Sequence, residues 1–154
     1  MTKEERNLLM IDLTSRLLYG VKVETYWKFE DKKNKTFPVE TLTYDMLGYY
    51  VGDDEWHFRM HYRPFLRPMS SMTEDEREEL FQIWKLGKEN GSESVTKLLK
   101  EIFYKAINEN YILKLATSFE NWIDVMTWFN KKHFDYRGLI EKELAVKATE
   151  EMYK

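Results

Sequence analysis

His57 and His61 stand four residues apart, close behind Asp53, Asp54 and Glu55. Imidazole and carboxylate groups are zinc ligands, so a small metal-dependent hydrolase or nuclease is one chemistry this group could serve. The surrounding pattern reads as a strand, which works against it. A straight strand holds two residues four apart at about 13 Å, given roughly 3.3 Å per residue, too far for one ion. The Gly52-Asp53-Asp54 sequence is also ordinary turn composition.

Arg59, Arg63 and Arg67 join the two histidines in a basic row interleaved with Trp56, Phe58, Tyr62 and Phe65. Surfaces that hold single-stranded nucleic acid mix cations with stacking rings. Here the two sets alternate, so on a strand they occupy opposite faces and the rings are expected in the core. Cross-strand pairing with Glu24, Glu30 or Glu40 is the plain expectation for the basic row, each pair worth under about 1 kcal/mol. An anion or phosphate contact through His57, Arg59, His61 and Arg63 is the functional alternative, in a nucleic-acid-associated protein.

Other catalytic arrangements have little footing. Ser70 and Ser71 lack the glycine-flanked elbow that exposes a nucleophile. No P-loop, dinucleotide fingerprint or HExxH pattern occurs. Glu78 and Glu79 are adjacent on a helix and so point about 100° apart. The absence of cysteine excludes thiol catalysis and Cys-based zinc sites. No catalytic, metal or cofactor-binding residue is assigned, no cofactor is expected, and the balance leans against an enzyme. His133, at a helix end, reads as structural.

The composition frames these residues. The chain has 154 residues, a formal charge of −3, and 9 Phe, 10 Tyr and 5 Trp. That is enough length for one core-forming domain. The acidic excess sits around Glu74–Glu79, and no basic block exists to hold duplex nucleic acid by charge alone. Met1–Arg6 is polar and of mixed charge, unlike a secretory signal, and no apolar run approaches the roughly 18 residues of a membrane helix. A cytoplasmic protein with no membrane partner is expected.

The elements that must position the candidates follow from periodicity. Thr2 with Glu5 forms a capping-box pattern, and Leu9, Leu13 and Leu17 follow at helical spacing up to Gly20, giving a helix over 3–18. Val21, Val23, Trp27 and Phe29 then alternate with charged residues as a half-buried strand. Thr36–Leu42 returns as a second strand, where Pro38 favours an edge. Leu42–Val51 is a short helix or an irregular link. Trp56–Tyr62 is the third strand, and Pro64 and Pro68 force Arg63–Met69 into extended or polyproline geometry. Thr73 with Glu76 caps a further helix, Val95–Ile107 carries an amphipathic stripe, and a last long helix runs from Phe119 to about Lys132. Tyr111–Ser118 either joins that helix or stands apart. A short terminal helix is expected around Leu139–Val146. On the last long helix, Trp128 projects into the middle of the polar side. Either another element covers it or it is an exposed anchor of the kind enriched at binding hot spots.

Two stretches carry a resemblance: Arg63-Pro-Phe-Leu-Arg-Pro-Met-Ser-Ser-Met-Thr-Glu74 and Trp128-Phe-Asn-Lys-Lys-His-Phe-Asp-Tyr-Arg-Gly-Leu-Ile140. With Tyr19-Gly-Val-Lys-Val23 they resemble a family of short uncharacterised proteins from gut Bacteroidetes and their phages or mobile elements, along most of the chain. The sequence departs from that pattern at Glu143, where glycine is expected, and over Thr149–Tyr153, where a proline-containing close is expected. The resemblance implies a genetic setting and no catalytic residue.

These readings converge on a single α+β domain over 1–154, with a small three-stranded antiparallel sheet covered on one face by about four helices. The leading functional expectation is a non-enzymatic interaction protein, adaptor or regulatory, of a mobile element or its host. A protein partner is expected, of unspecified identity. Its candidate surface is Trp128, Phe65, Arg67, Tyr136 and Arg137, and the oligomeric state is left open.

Overall fold

Two compact units divide the chain in the computed structural model, one formed by 1–67 with 137–154 and the other by 68–136. The structure describes residues 1–27, 35–36, 38–51, 60–85, 92–109, 112 and 119–153. Among them are five α-helices and five strands, and the α+β class expected from the sequence holds.

The first unit opens on helix α1, Lys3–Arg16. Its start is the expected capping box: the Thr2 N–H donates to Glu5 Oε2 at 2.7 Å, and the Glu5 N–H donates to Thr2 Oγ1 at 3.1 Å. A 3-10 turn over Leu17–Tyr19 follows, and Gly20 takes φ 67, the left-handed conformation that ends a helix at least cost in glycine. Strand β1, Lys22–Trp27, pairs antiparallel with β2 (Lys35–Thr36), β3 (Glu40–Thr41) and β4 (Met60–Leu66). β2 and β3 are two pieces of the second strand, and their register on β1 slips by one residue across exposed Pro38, which has no N–H to offer a ladder. The stretch after β3 forms helix α2, Tyr44–Val51.

The sheet differs from expectation in two respects. β4 continues through Pro64, opposite Val23, to Leu66, so this proline sits inside a strand. The C-terminal segment is not a helix. It makes turns over 139–143 and then β5, Val146–Lys147, which pairs parallel with β4 at Phe65 and Leu66. The sheet is therefore mixed rather than purely antiparallel, with order β2-β1-β4-β5 and β3 also on β1. The terminal helix fails because Glu143 adopts φ 58, a left-handed conformation that an α-helix cannot contain. The N–H of Leu144 donates instead to the carbonyl of Leu139 at 2.9 Å, closing a turn.

Glu143 is exposed and occupies the conformation that glycine takes with least strain. Glu143→Gly should raise stability by about 0.5–1 kcal/mol, since relief of the left-handed strain exceeds the entropy added to the unfolded chain. A rise in the denaturant midpoint checks this; an unchanged or lower midpoint contradicts it.

Leu9 and Leu13 of α1, Val21, Val23 of β1, Leu42, Leu47 of α2, Tyr62 and Leu66 of β4, and Leu139 and Leu144 form the core of this unit. Tyr153 closes one end of it. The β1–β4 ladder runs to Val23 and Pro64. Where the next pair would follow, the Lys22 N–H donates to the Tyr153 hydroxyl at 3.0 Å, and that hydroxyl donates to the Phe65 carbonyl at 2.7 Å. Burial pushes the Tyr153 hydroxyl up to about 12, against the smaller opposing effects of the Lys22 N–H and the Arg16 charge. Tyr153→Phe should cost about 1–3 kcal/mol, because both backbone groups lose their partner. The neutral phenol is favoured in the fold, so its contribution is complete below about pH 10, the ordinary tyrosine value, and is lost as pH rises through about 12. Denaturation curves of the two proteins should converge over that alkaline range.

The second unit is helical in its described residues. α3, Glu74–Lys85, begins at the second capping box, with the Thr73 N–H on Glu76 Oε2 at 3.0 Å and the Glu76 N–H on Thr73 Oγ1 at 3.2 Å. α4 spans Glu93–Asn108 and α5 spans Phe119–Lys131. α3 and α5 run antiparallel: Asn121 Nδ2 donates to the Trp84 carbonyl at 3.1 Å, and Lys132 meets Glu79 at 3.1 Å near the other end. Phe81, Trp84 and Phe103 pack with ring centroids 5.1–6.0 Å apart. With Leu80, Ile107, Val125, Trp128, Phe129, Phe134 and Tyr136 they make a core separate from that of the first unit. These three helices thus have their own core, which the expectation of about four helices on one sheet face did not contain. Of Tyr111–Ser118, all but Ile112, which is buried, lies outside the described residues.

Candidate functional site

The candidates lie in different settings. His57 and Arg59 lie outside the described residues, as do Asp53, Asp54 and Glu55, and of His61 the structure describes the backbone, opposite Tyr26 in β4. Arg63 sits opposite Glu24 in the register, and its Nε donates to Glu24 Oε1 at 3.0 Å while Nη2 contacts the same oxygen. The cross-strand pairing expected for the basic row is present at this position. Among the described residues, no three His, Asp or Glu side chains gather where they could hold a metal ion.

The proposed partner surface is corrected at three of its five residues. Trp128 is 5% exposed and stacks on Phe134, with centroids 5.5 Å apart and planes within 8°, while its edge meets Phe129. The Lys132 ammonium lies 5.7 Å from the indole centroid. Helical phase alone placed Trp128 on a polar side. The chain beyond α5 folds back and covers it with Phe134, so the ring is core. Tyr136 is buried too, stacked on Phe129 and donating its hydroxyl to Asn130 Oδ1 at 2.9 Å. Phe65 is buried in β4. Arg67 and Arg137 are half-buried.

Arg137 leads to a cluster that periodicity did not single out. Asp12 and Arg16 of α1 are both 0% exposed, and Arg16 grips the carboxylate with two bonds, Nε to Oδ2 at 2.8 Å and Nη2 to Oδ1 at 3.0 Å. Arg137 Nε reaches Oδ1 from the returning chain at 3.2 Å. One buried carboxylate thus ties α1 to the segment that enters the C-terminal strand. A bidentate guanidinium pair is among the stronger ionic contacts, and burial shields it from screening. The signal available in the sequence was an acid four residues before a base, bordering the Leu9–Leu13 stripe.

His133 is buried and left-handed at φ 59, just past α5, where its N–H donates to the Asn130 carbonyl at 3.2 Å. The stretches 63–74 and 128–140 differ in burial, the second contributing far more to the interior. Pro64, Phe65, Leu66 and Met72 are buried in the first, and Trp128, Phe129, Asn130, His133, Phe134, Asp135, Tyr136 and Leu139 in the second. The buried residues of the second stretch serve packing.

The second unit presents two surface features. Glu78 joins α3 to α4 by accepting from Lys100 Nζ at 2.6 Å and from the Tyr104 hydroxyl at 3.3 Å. Lys100, then Gln82, hold the Glu78 carboxyl below its ordinary value. This is a solvated tie between helices. The other feature is apolar. α4 turns Phe103, Ala106 and Ile107 inward, but Val95, Leu98 and Ile102 are exposed, Leu98 at 57%. Their i, i+3, i+7 spacing makes one continuous stripe along the helix.

Compared with protein-family models, with curated proteins and with solved structures, the chain matches none. No helix among the described residues is long and apolar enough to cross a membrane.

Proposed function

We propose that this is a non-enzymatic interaction protein whose contact face is the Val95–Leu98–Ile102 stripe of α4. The observation that carries the reading is the exposure of three large aliphatic side chains in a row on a helix whose adjoining face, with Phe103, Ala106 and Ile107, is already committed to a core. Such a face suits a partner that presents an apolar helix or groove, a recurring mode of amphipathic-helix recognition. The genetic setting, a mobile element or its bacterial host, rests on the resemblance of Arg63–Glu74 and Trp128–Ile140. A cytoplasmic location is part of the same reading. The nucleic-acid reading is weakened by the engagement of Arg63 with Glu24.

Immobilised protein should capture a specific protein from a bacterial lysate, and Leu98→Glu should abolish capture at least tenfold while leaving the denaturation midpoint within about 0.5 kcal/mol of the parent, as for other surface changes. Equal capture by parent and variant would remove α4 as the contact face. A salt-dependent gel shift with single-stranded RNA or DNA, unaffected by Leu98→Glu, would favour the nucleic-acid reading instead.

A further inference from the structure

We draw no further inference here: the strongest candidate, the exposed apolar stripe of Val95, Leu98 and Ile102 on α4, belongs to the surface already described, and nothing in the structure shows what covers it.

Discussion

Asp12→Ala should destabilise the first unit by about 3–5 kcal/mol, a large part of the 5–15 kcal/mol that holds a typical domain together. The carboxylate is 0% exposed and is shared by Arg16 and Arg137. Its removal takes from the fully buried Arg16 guanidinium the carboxylate that grips it with two bonds, and deleting one member of a buried ion pair costs more than the pair contributes when intact. Truncation of the side chain alone would not account for such a loss, since Asp is small. The ionic origin can be isolated. Asp12→Leu combined with Arg16→Met replaces the pair with apolar groups of similar bulk, and it should be much less damaging than Asp12→Ala, because Arg137, unlike Arg16, keeps 18% of its side chain accessible and can turn toward water. A chemical-denaturation series of the three proteins measures this. Equal losses for the single and double variants would assign the effect to packing and sink the ionic account.

Trp128→Ala should cost about 3–5 kcal/mol in the second unit, the range for deleting a large buried ring. The indole touches Phe129 and Phe134 and is nearly closed to solvent, so little of the space it leaves can be refilled. Its Nε1 is buried and has no hydrogen-bond partner among the described residues. Trp128→Phe, which keeps a ring and removes that donor, should therefore be distinctly milder than Trp128→Ala. An exposed anchor would behave in the opposite way, with stability unchanged and partner capture lost. Thermal unfolding of the two variants, together with capture assays at a temperature where both are folded, separates the cases.

The difference between these two residues shows how far local pattern reaches. Capping at Thr2 and Thr73, the stop at Gly20, the alternation of β1 and the helical spacing of α4 and α5 were legible because each depends on neighbours within about one turn or one strand pair. The same spacing placed Trp128 on the polar side of its helix, which is true of the helix taken alone. Helical phase cannot register the chain that returns after Lys132 and lays Phe134 against the indole. The α4 stripe shows the same limit from the other side. Val95, Leu98 and Ile102 belong to the apolar pattern that includes Phe103 and Ile107, and periodicity does not tell which part of a wide arc finds a neighbour.

By itself, the sequence determined the α+β class, the capped starts of α1 and α3 and the antiparallel pairing around β1, and it offered cross-strand pairing of Arg63 without choosing among its glutamates, all consequences of short-range sterics, capping and residue alternation. Tertiary structure alone decided the division into two cores, the parallel β5 and the Tyr153 closure. It also decided the Asp12–Arg16–Arg137 clasp and the burial of Trp128. The parallel β5, the Tyr153 closure and the clasp join residues far apart in the chain, such as Lys22 with Tyr153 or Asp12 with Arg137, while Trp128 is covered by the chain that turns back just past its own helix. Contacts of that kind arise only when distant segments share one interior, where burial and unpaired polar groups set the energy and local spacing carries no record of them.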